Sequence, residues 1–365
     1  VINQTITPRQ AVMWFCLYQT GSAMLILPSS LATIAKQDAW MCIPLAIVMF
    51  LGVSTFYLAI AKQMNGASFE DYFQRILGSL LGKIVLFLFV LLFPYLIFIL
   101  VLRDLGDYLT TSVIPETPQA AIYALMLAAV YYVVRLGATV IGRIAEILFF
   151  VVMTLFLVGF LSLFVNADWR NLLPMLEDGP KPVFHASIHL LAFPYLESVL
   201  FLFFVNQFDH AKKWRRIIVR SAILSGFACF IVTMMSLLAL SAGVISNLTY
   251  PSYFVVRTIS IGDIFERFEV VISIIWYISI FFRLALLLYV SVQGFAGVFR
   301  LKYPRALLIP LSLIAIMMAK VVWPNMAFLI TLLQVWPYYC IIFGLLFPIA
   351  LWLVGKVRLS GSSDA

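Results

Sequence analysis

Gln19-Thr20-Gly21-Ser22-Ala23-Met24-Leu25-Ile26-Leu27-Pro28 lies in the middle of an apolar stretch, residues 8–35, long enough to cross a bilayer. A membrane-spanning helix needs about 20 predominantly apolar residues. Glycine, two hydroxyls and a proline at the midpoint argue against an unbroken one. Irregular backbone at that depth is tolerated only where it lines a cavity or is buried in protein. Freed amides at the start of the second half-helix attract an anionic group, and freed carbonyls at the end of the first attract a cation. The stretch therefore predicts a solute-binding break.

A second interruption occupies the matching place in the other half of the chain, at Leu191-Ala192-Phe193-Pro194-Tyr195-Leu196-Glu197. Pro194 removes an amide donor and disrupts the local ladder. Paired interruptions at corresponding positions of two halves are the sequence sign of an inverted repeat with its site at the bilayer midplane. Taken alone, Gly21 would read as close helix packing and Pro194 as a kink. Their correspondence favours a binding site formed by Thr20, Gly21, Ser22 and Ala23 with Ala192, Phe193, Pro194, Tyr195 and Leu196.

The rest of the composition agrees with a lipid setting. Hydrophobic residues make up 64% of the chain and charged ones 11%, against roughly 25% charged in soluble domains, and the mean hydropathy is +1.07. Ten spans are expected, at 8–35, 40–61, 83–109, 118–135, 138–166, 183–206, 217–245, 268–297, 306–322 and 326–354. Their continuous apolar runs lack the alternation of barrel strands. The first reads as a membrane helix rather than a cleavable signal. The expected fold is an all-α membrane protein of two five-helix repeats, 1–170 and 171–365, in one integrated domain.

The net charge of +8 sits mostly in short connections, which speaks for topology and against nucleic acid. With both termini cytoplasmic, sixteen of the 24 Lys and Arg fall inside and seven outside, Arg103 and Arg267 among the latter, with Arg283 within span eight. That bias is the positive-inside pattern. The basic run after span six, from His210 through Lys212, Lys213, Arg215 and Arg216, reads as an anchor beside anionic headgroups.

Among the charges inside spans, Glu146 in the fifth, Glu197 in the sixth and Arg283 in the eighth stand out. A charge at that depth is costly and normally faces the bundle interior with a partner. Arg283 is expected to pair with Glu146 or Glu197, its guanidinium standing where a coupling cation would sit. Tyr95, after Pro94 in span three, is a candidate cavity wall. His185 and His189 share a helix face, but two histidines do not complete a metal site. Cys16, Cys42, Cys229 and Cys340 read as buried free thiols. No nucleophile elbow, phosphate loop or metalloprotease motif is present, so neither enzymatic chemistry nor a cofactor is expected.

These residues together resemble the B-subunit family of spore germinant receptors, the endospore germination permeases of the amino acid–polyamine–organocation superfamily. The resemblance runs through Thr20-Gly21-Ser22-Ala23 with Leu27-Pro28, Arg103 leading to Pro115-Glu116-Thr117-Pro118, and Leu172-Leu173-Pro174-Met175-Leu176-Glu177-Asp178-Gly179. It continues through Glu197, the basic loop, Phe265-Glu266-Arg267-Phe268-Glu269 ahead of Trp276, Trp323-Pro324 and Leu346-Phe347-Pro348. It implies a LeuT-like five-plus-five inverted repeat with helices one and six unwound. It also implies a subunit of the spore inner membrane that senses a small nutrient, first guess an amino acid, beside A and C subunits. Its site would be Thr20, Gly21 and Ser22, Tyr95, and Ala192 to Leu196. Helix eight departs from the pattern, offering Phe282 and Arg283 where small or hydroxyl residues are expected. The alternative function is a proton-coupled permease for amino acids or similar solutes.

Overall fold

The computed structural model describes residues 5–163, 167–208, 211–257 and 269–360, and among them every regular element is helical. The chain enters at α1 (Pro8–Thr20) through a capping box. Thr7 Oγ1 accepts from the Gln10 amide, the Gln10 side chain accepts from the Thr7 amide, and Pro8 supplies a preset first turn. After the break at Gly21–Ser22 the span resumes as α2 (Ala23–Ala35). A 3-10 turn, Lys36–Met41, leads into α3 (Cys42–Met64). Span three is α5 (Ser79–Val90), a π-turn over Leu91–Tyr95 that accommodates Pro94, and α6 (Leu96–Tyr108). Before it lies α4 (Phe69–Leu77), a short amphipathic helix burying Phe69, Tyr72, Phe73 and Ile76. Its spacing is helical, yet nine residues are too few to register as a span.

Spans four and five are α7 (Gln119–Leu136) and α8 (Ala138–Leu163). Span six is α9 (Pro180–Leu190), a π-turn over Leu191–Tyr195, and a twelve-residue 3-10 segment, Leu196–Gln207. Next comes α10 (Ala211–Ile245), kinked at Ser241, and a short α11 (Pro251–Arg257). The remaining spans are α12 (Glu269–Phe299), α13 (Leu308–Val321), and α14 (Met326–Ile341) joined through a further π-turn, Ile342–Leu346, to α15 (Phe347–Ser360).

Nine helical units among the described residues are long and apolar enough to cross a membrane. One of them, Ala23–Met64, holds both the second half of span one and all of span two. With α1 completing span one, the ten expected crossings are present, their ends within a few residues of the sequence reading. Outward-facing leucines and valines such as Leu125 and Val321, each 71% exposed, would be a liability in water. On a bilayer they are the lipid-facing surface. The most enclosed elements are α1, the Leu196–Gln207 segment and the centre of α12.

The loop before span six docks on the turn after span one. Asp38 accepts from the Leu176 amide, Gln37 donates to the Pro174 carbonyl, and Lys36 meets Asp178 at 2.7 Å. The Asp178 carboxylate beside it raises the Lys36 ammonium pKa. The four cysteines are buried and free. The expected features at His210, Arg267 and Phe265–Phe268 lie outside the described residues.

Candidate functional site

Both predicted breaks are present and they face each other. Gly21 leaves the helical region at φ −18°, ψ −108°, and the α2 ladder restarts at Ile26, whose amide donates to Ser22 O. A Cβ on Gly21 would sit 2.7 Å from Arg283 Cδ and 3.2 Å from Tyr18 O. Only glycine lets the Arg283 side chain lie this close to the break. In span six the backbone turns extended at Phe193 (φ −125°, ψ 110°).

Arg283, on α12, fills the space between the breaks. Its Nη2 meets Glu197 Oε2 at 2.5 Å, and both side chains are fully buried. Nη1 donates to Tyr18 O at the end of α1, and the Tyr18 hydroxyl donates to the same Glu197 oxygen at 3.0 Å. The guanidinium lies 4.9 Å from the ring centroids of both Tyr18 and Phe193, a cation–π sandwich. The freed carbonyl of helix one is thus taken by this chain's own cation. Glu146 belongs elsewhere: it pairs with Arg9 at 3.0 Å and accepts from Gln10 at 3.2 Å, pinning α1 to α8.

Beside Arg283 is a cavity of about 60 Å³, lined by Ser22, Asp104, Phe193, Trp323 and Trp336 with aliphatic side chains of α2, α6 and α14. Its polar atoms are unusually idle. The Ser22 hydroxyl, both Asp104 oxygens, Glu197 Oε1, Arg283 Nε and Trp336 Nε1 are buried without a hydrogen-bond partner. Ile26, Leu329 and Leu333 separate this cavity from a second of about 240 Å³, lined also by Ser30, Thr33, His189, Asn247 and Gln334.

Of the sequence candidates, Gly21, Ser22, Phe193, Glu197 and Arg283 come together here. The others are buried but turned to other partners. Thr20 bonds back to Cys16 O and Leu17 O, and Tyr95 donates to Leu311 O. Tyr195 stacks on Phe50, and Leu196 O accepts from Tyr57, whose hydroxyl also reaches Gly344 O. Ala23, Ala192 and Pro194 are buried without lining the cavity. No group of three or more metal-ligating residues exists among the described residues, and the His185 and His189 rings meet edge to face.

Two acidic residues of span three went unread. Asp104 lines the cavity, and Asp107 is the hub of a neighbouring cluster. Arg103 donates through Nε to both Asp107 oxygens and through Nη1 to Ala319 O and Lys320 O. Gln119 and Trp323 complete the Asp107 shell, each at 2.8 Å. Arg103 is therefore a buried helix residue, not the loop cation that the charge count takes it for. Its neighbours carried a visible signal: two carboxylates one turn apart in an apolar span.

An all-helical bundle of ten crossings, broken in its first and sixth around a small central pocket, is the LeuT-like five-plus-five transporter fold. Two solved mutants of the Eremococcus coleocola manganese transporter share it, with TM-scores of 0.51 and 0.52 at 14% and 13% identity, each match covering 98% of this chain and 75% of theirs. The family model for spore germination proteins matches residues 5–325, and the chain belongs to that family. It is 29% identical to spore germination protein KB of Bacillus subtilis (strain 168) over 96% of this chain and 94% of that one. It is 26% identical to spore germination protein YndE of the same strain, over 81% and 82%. It is a multi-pass membrane protein of spore germination.

Proposed function

We propose that this chain is the nutrient-sensing membrane subunit of a germinant receptor, binding a small solute between its two helix breaks. The observation behind the reading is the juxtaposition of Ser22 and Phe193, one from each break, at a pocket whose buried polar atoms lack partners. Such atoms are costly unless something satisfies them. An amino acid suits the chemistry, its carboxylate toward the amides near Gly21 and Ser22. At about 60 Å³ the pocket is far below the roughly 300–1,000 Å³ of ligand sites. Entry therefore requires Ile26, Leu329 and Leu333 to part, joining the pocket to the larger vestibule.

In this reading residues 1–170 and 171–365 are the two repeats and both termini are cytoplasmic. The chain sits in the spore inner membrane with receptor A and C subunits and performs no covalent chemistry. Gly21→Leu drives a side chain into Arg283 and is expected to abolish the germinant response while the protein still accumulates. A normal response of Gly21→Leu spores to nutrients removes the proposal. Proton-driven amino-acid uptake by the purified chain in liposomes replaces sensing with transport.

A further inference from the structure

We propose that Asp104 is the site of a single bound positive charge, a proton or a small monovalent cation, held in the central cavity. Asp104 lies on α6, 5% exposed, and neither carboxylate oxygen accepts a hydrogen bond. An ionised carboxylate has about four acceptor positions, and leaving all of them empty in an apolar enclosure is strongly unfavourable. The Ser22 hydroxyl lies beside it and is also unpartnered.

The surrounding charges do not balance Asp104. Arg283 is committed to Glu197 at 2.5 Å, and Arg103 to Asp107 at 2.9 Å. Each pair is neutral, which leaves one net negative charge at Asp104. Tyr250 ahead of α11 also faces it, and Tyr108 follows one turn on along its own helix, neither of them a cation. Lys320, on the packed α13, is exposed. A divalent ion would overcompensate, whereas one unit of positive charge closes the count.

Size permits this. A cavity of about 60 Å³ exceeds the roughly 10–15 Å³ that one water needs by this measure, so it has room for a small ion with a few waters. The indoles of Trp323 and Trp336 line it. The Ser22 hydroxyl supplies a further oxygen. The site shares its cavity with the solute pocket proposed above, although its occupancy can be read without a germinant.

The test uses the full chain in nanodiscs, with thermal unfolding followed in two arms. One arm titrates lithium, sodium, potassium and ammonium chlorides against N-methylglucamine chloride at constant ionic strength. The other varies pH in N-methylglucamine alone. A bound metal or ammonium ion gives a saturable rise in Tm for one salt. A bound proton gives a rise on acidification that is the same in all salts. In either case Asp104→Asn is expected to fold, to match or exceed wild-type Tm in the unliganded condition, and to lose the response. Ser22→Ala, which keeps the carboxylate, weakens a cation about tenfold and leaves the proton response intact. Should Asp104→Asn not fold, Asp104→Glu and Ser22→Ala decide: both must retain a response in one arm. Wild-type Tm that is flat in both arms, or an Asp104→Asn response equal to wild type, overturns the proposal. The Tm response is read with no germinant present, so its failure leaves the solute reading standing, and a lost germinant response leaves the charge site standing.

Discussion

Two arginine–carboxylate pairs are buried among the described residues, and they are finished to different degrees. Arg103 and Asp107 sit one turn apart on α6, and Asp107 accepts from Arg103, Gln119 and Trp323 while Arg103 also holds two carbonyls of α13. None of its side-chain atoms is left as a buried orphan. The second pair, Arg283–Glu197, is shorter and more deeply enclosed, yet one Glu197 oxygen and Arg283 Nε have no partner, and Asp104 and Ser22 beside them have none either. A fully satisfied network rigidifies its surroundings, whereas a partly satisfied one stays poised for something further. The first pair is a joint between helices; the second borders a pocket whose polar atoms have no hydrogen-bond partner.

The largest expected effect is at the central pair. Arg283→Met or Glu197→Leu alone strands a buried charge and is expected to cost about 3–5 kcal/mol, read as lowered Tm in detergent. The double substitution is expected to recover most of that while the germinant response stays lost. Equal loss in single and double variants would refute the pairing argument.

The α6 joint should behave differently. Arg103→Met with Asp107→Leu is not expected to recover, because Trp323, Gln119 and two carbonyls of α13 lose their partners together. Recovery there equal to that at Arg283–Glu197 erases the distinction between the two regions. Next in size is Tyr18→Phe. It removes one donor to a charged oxygen and is expected to lower stability by about 1.5–3 kcal/mol, with a denaturant midpoint as the readout. Thr7→Ala, which deletes the cap of α1, is expected to cost about 1 kcal/mol. The smallest effect falls on the exposed Lys36–Asp178 contact, where Lys36→Met leaves Tm within error at neutral pH. Whatever that contact contributes fades as pH rises through the raised Lys36 pKa.

How much of this was legible in the chain depended on what kind of signal each element left. Spans are written in composition, so all ten were readable within a few residues. The breaks were readable because Gly21 and Pro194 are backbone statements, and their correspondence between halves exposed the repeat. Arg283 was readable as a buried charge, but the choice between Glu197 and Glu146 was not. Both lie in spans, and only the packing of α1 against α8 shows that Arg9 and Gln10 claim Glu146. Asp104 escapes the sequence reading because Arg103 is counted there as an outer-side cation although the expected span runs on to 109, and the helix does continue past it to Tyr108. Tyr95 and Tyr195 illustrate the opposite limit. Their positions fit a cavity wall, but side-chain direction around a π-turn follows from the extra residue in the turn, which no spacing rule anticipates.

The 3-10 segment Leu196–Gln207 has a mechanical consequence. Twelve residues at about 2.0 Å each cover roughly 24 Å, while the same residues wound as an α-helix would cover roughly 18 Å. The two windings also differ by about two-thirds of a turn, four turns against 3.3. Span six therefore carries slack: rewinding this half would draw its far end about 6 Å toward the Phe193 break and rotate it as a screw. Since Glu197 is the second residue of the segment, the thread begins at the carboxylate that grips Arg283.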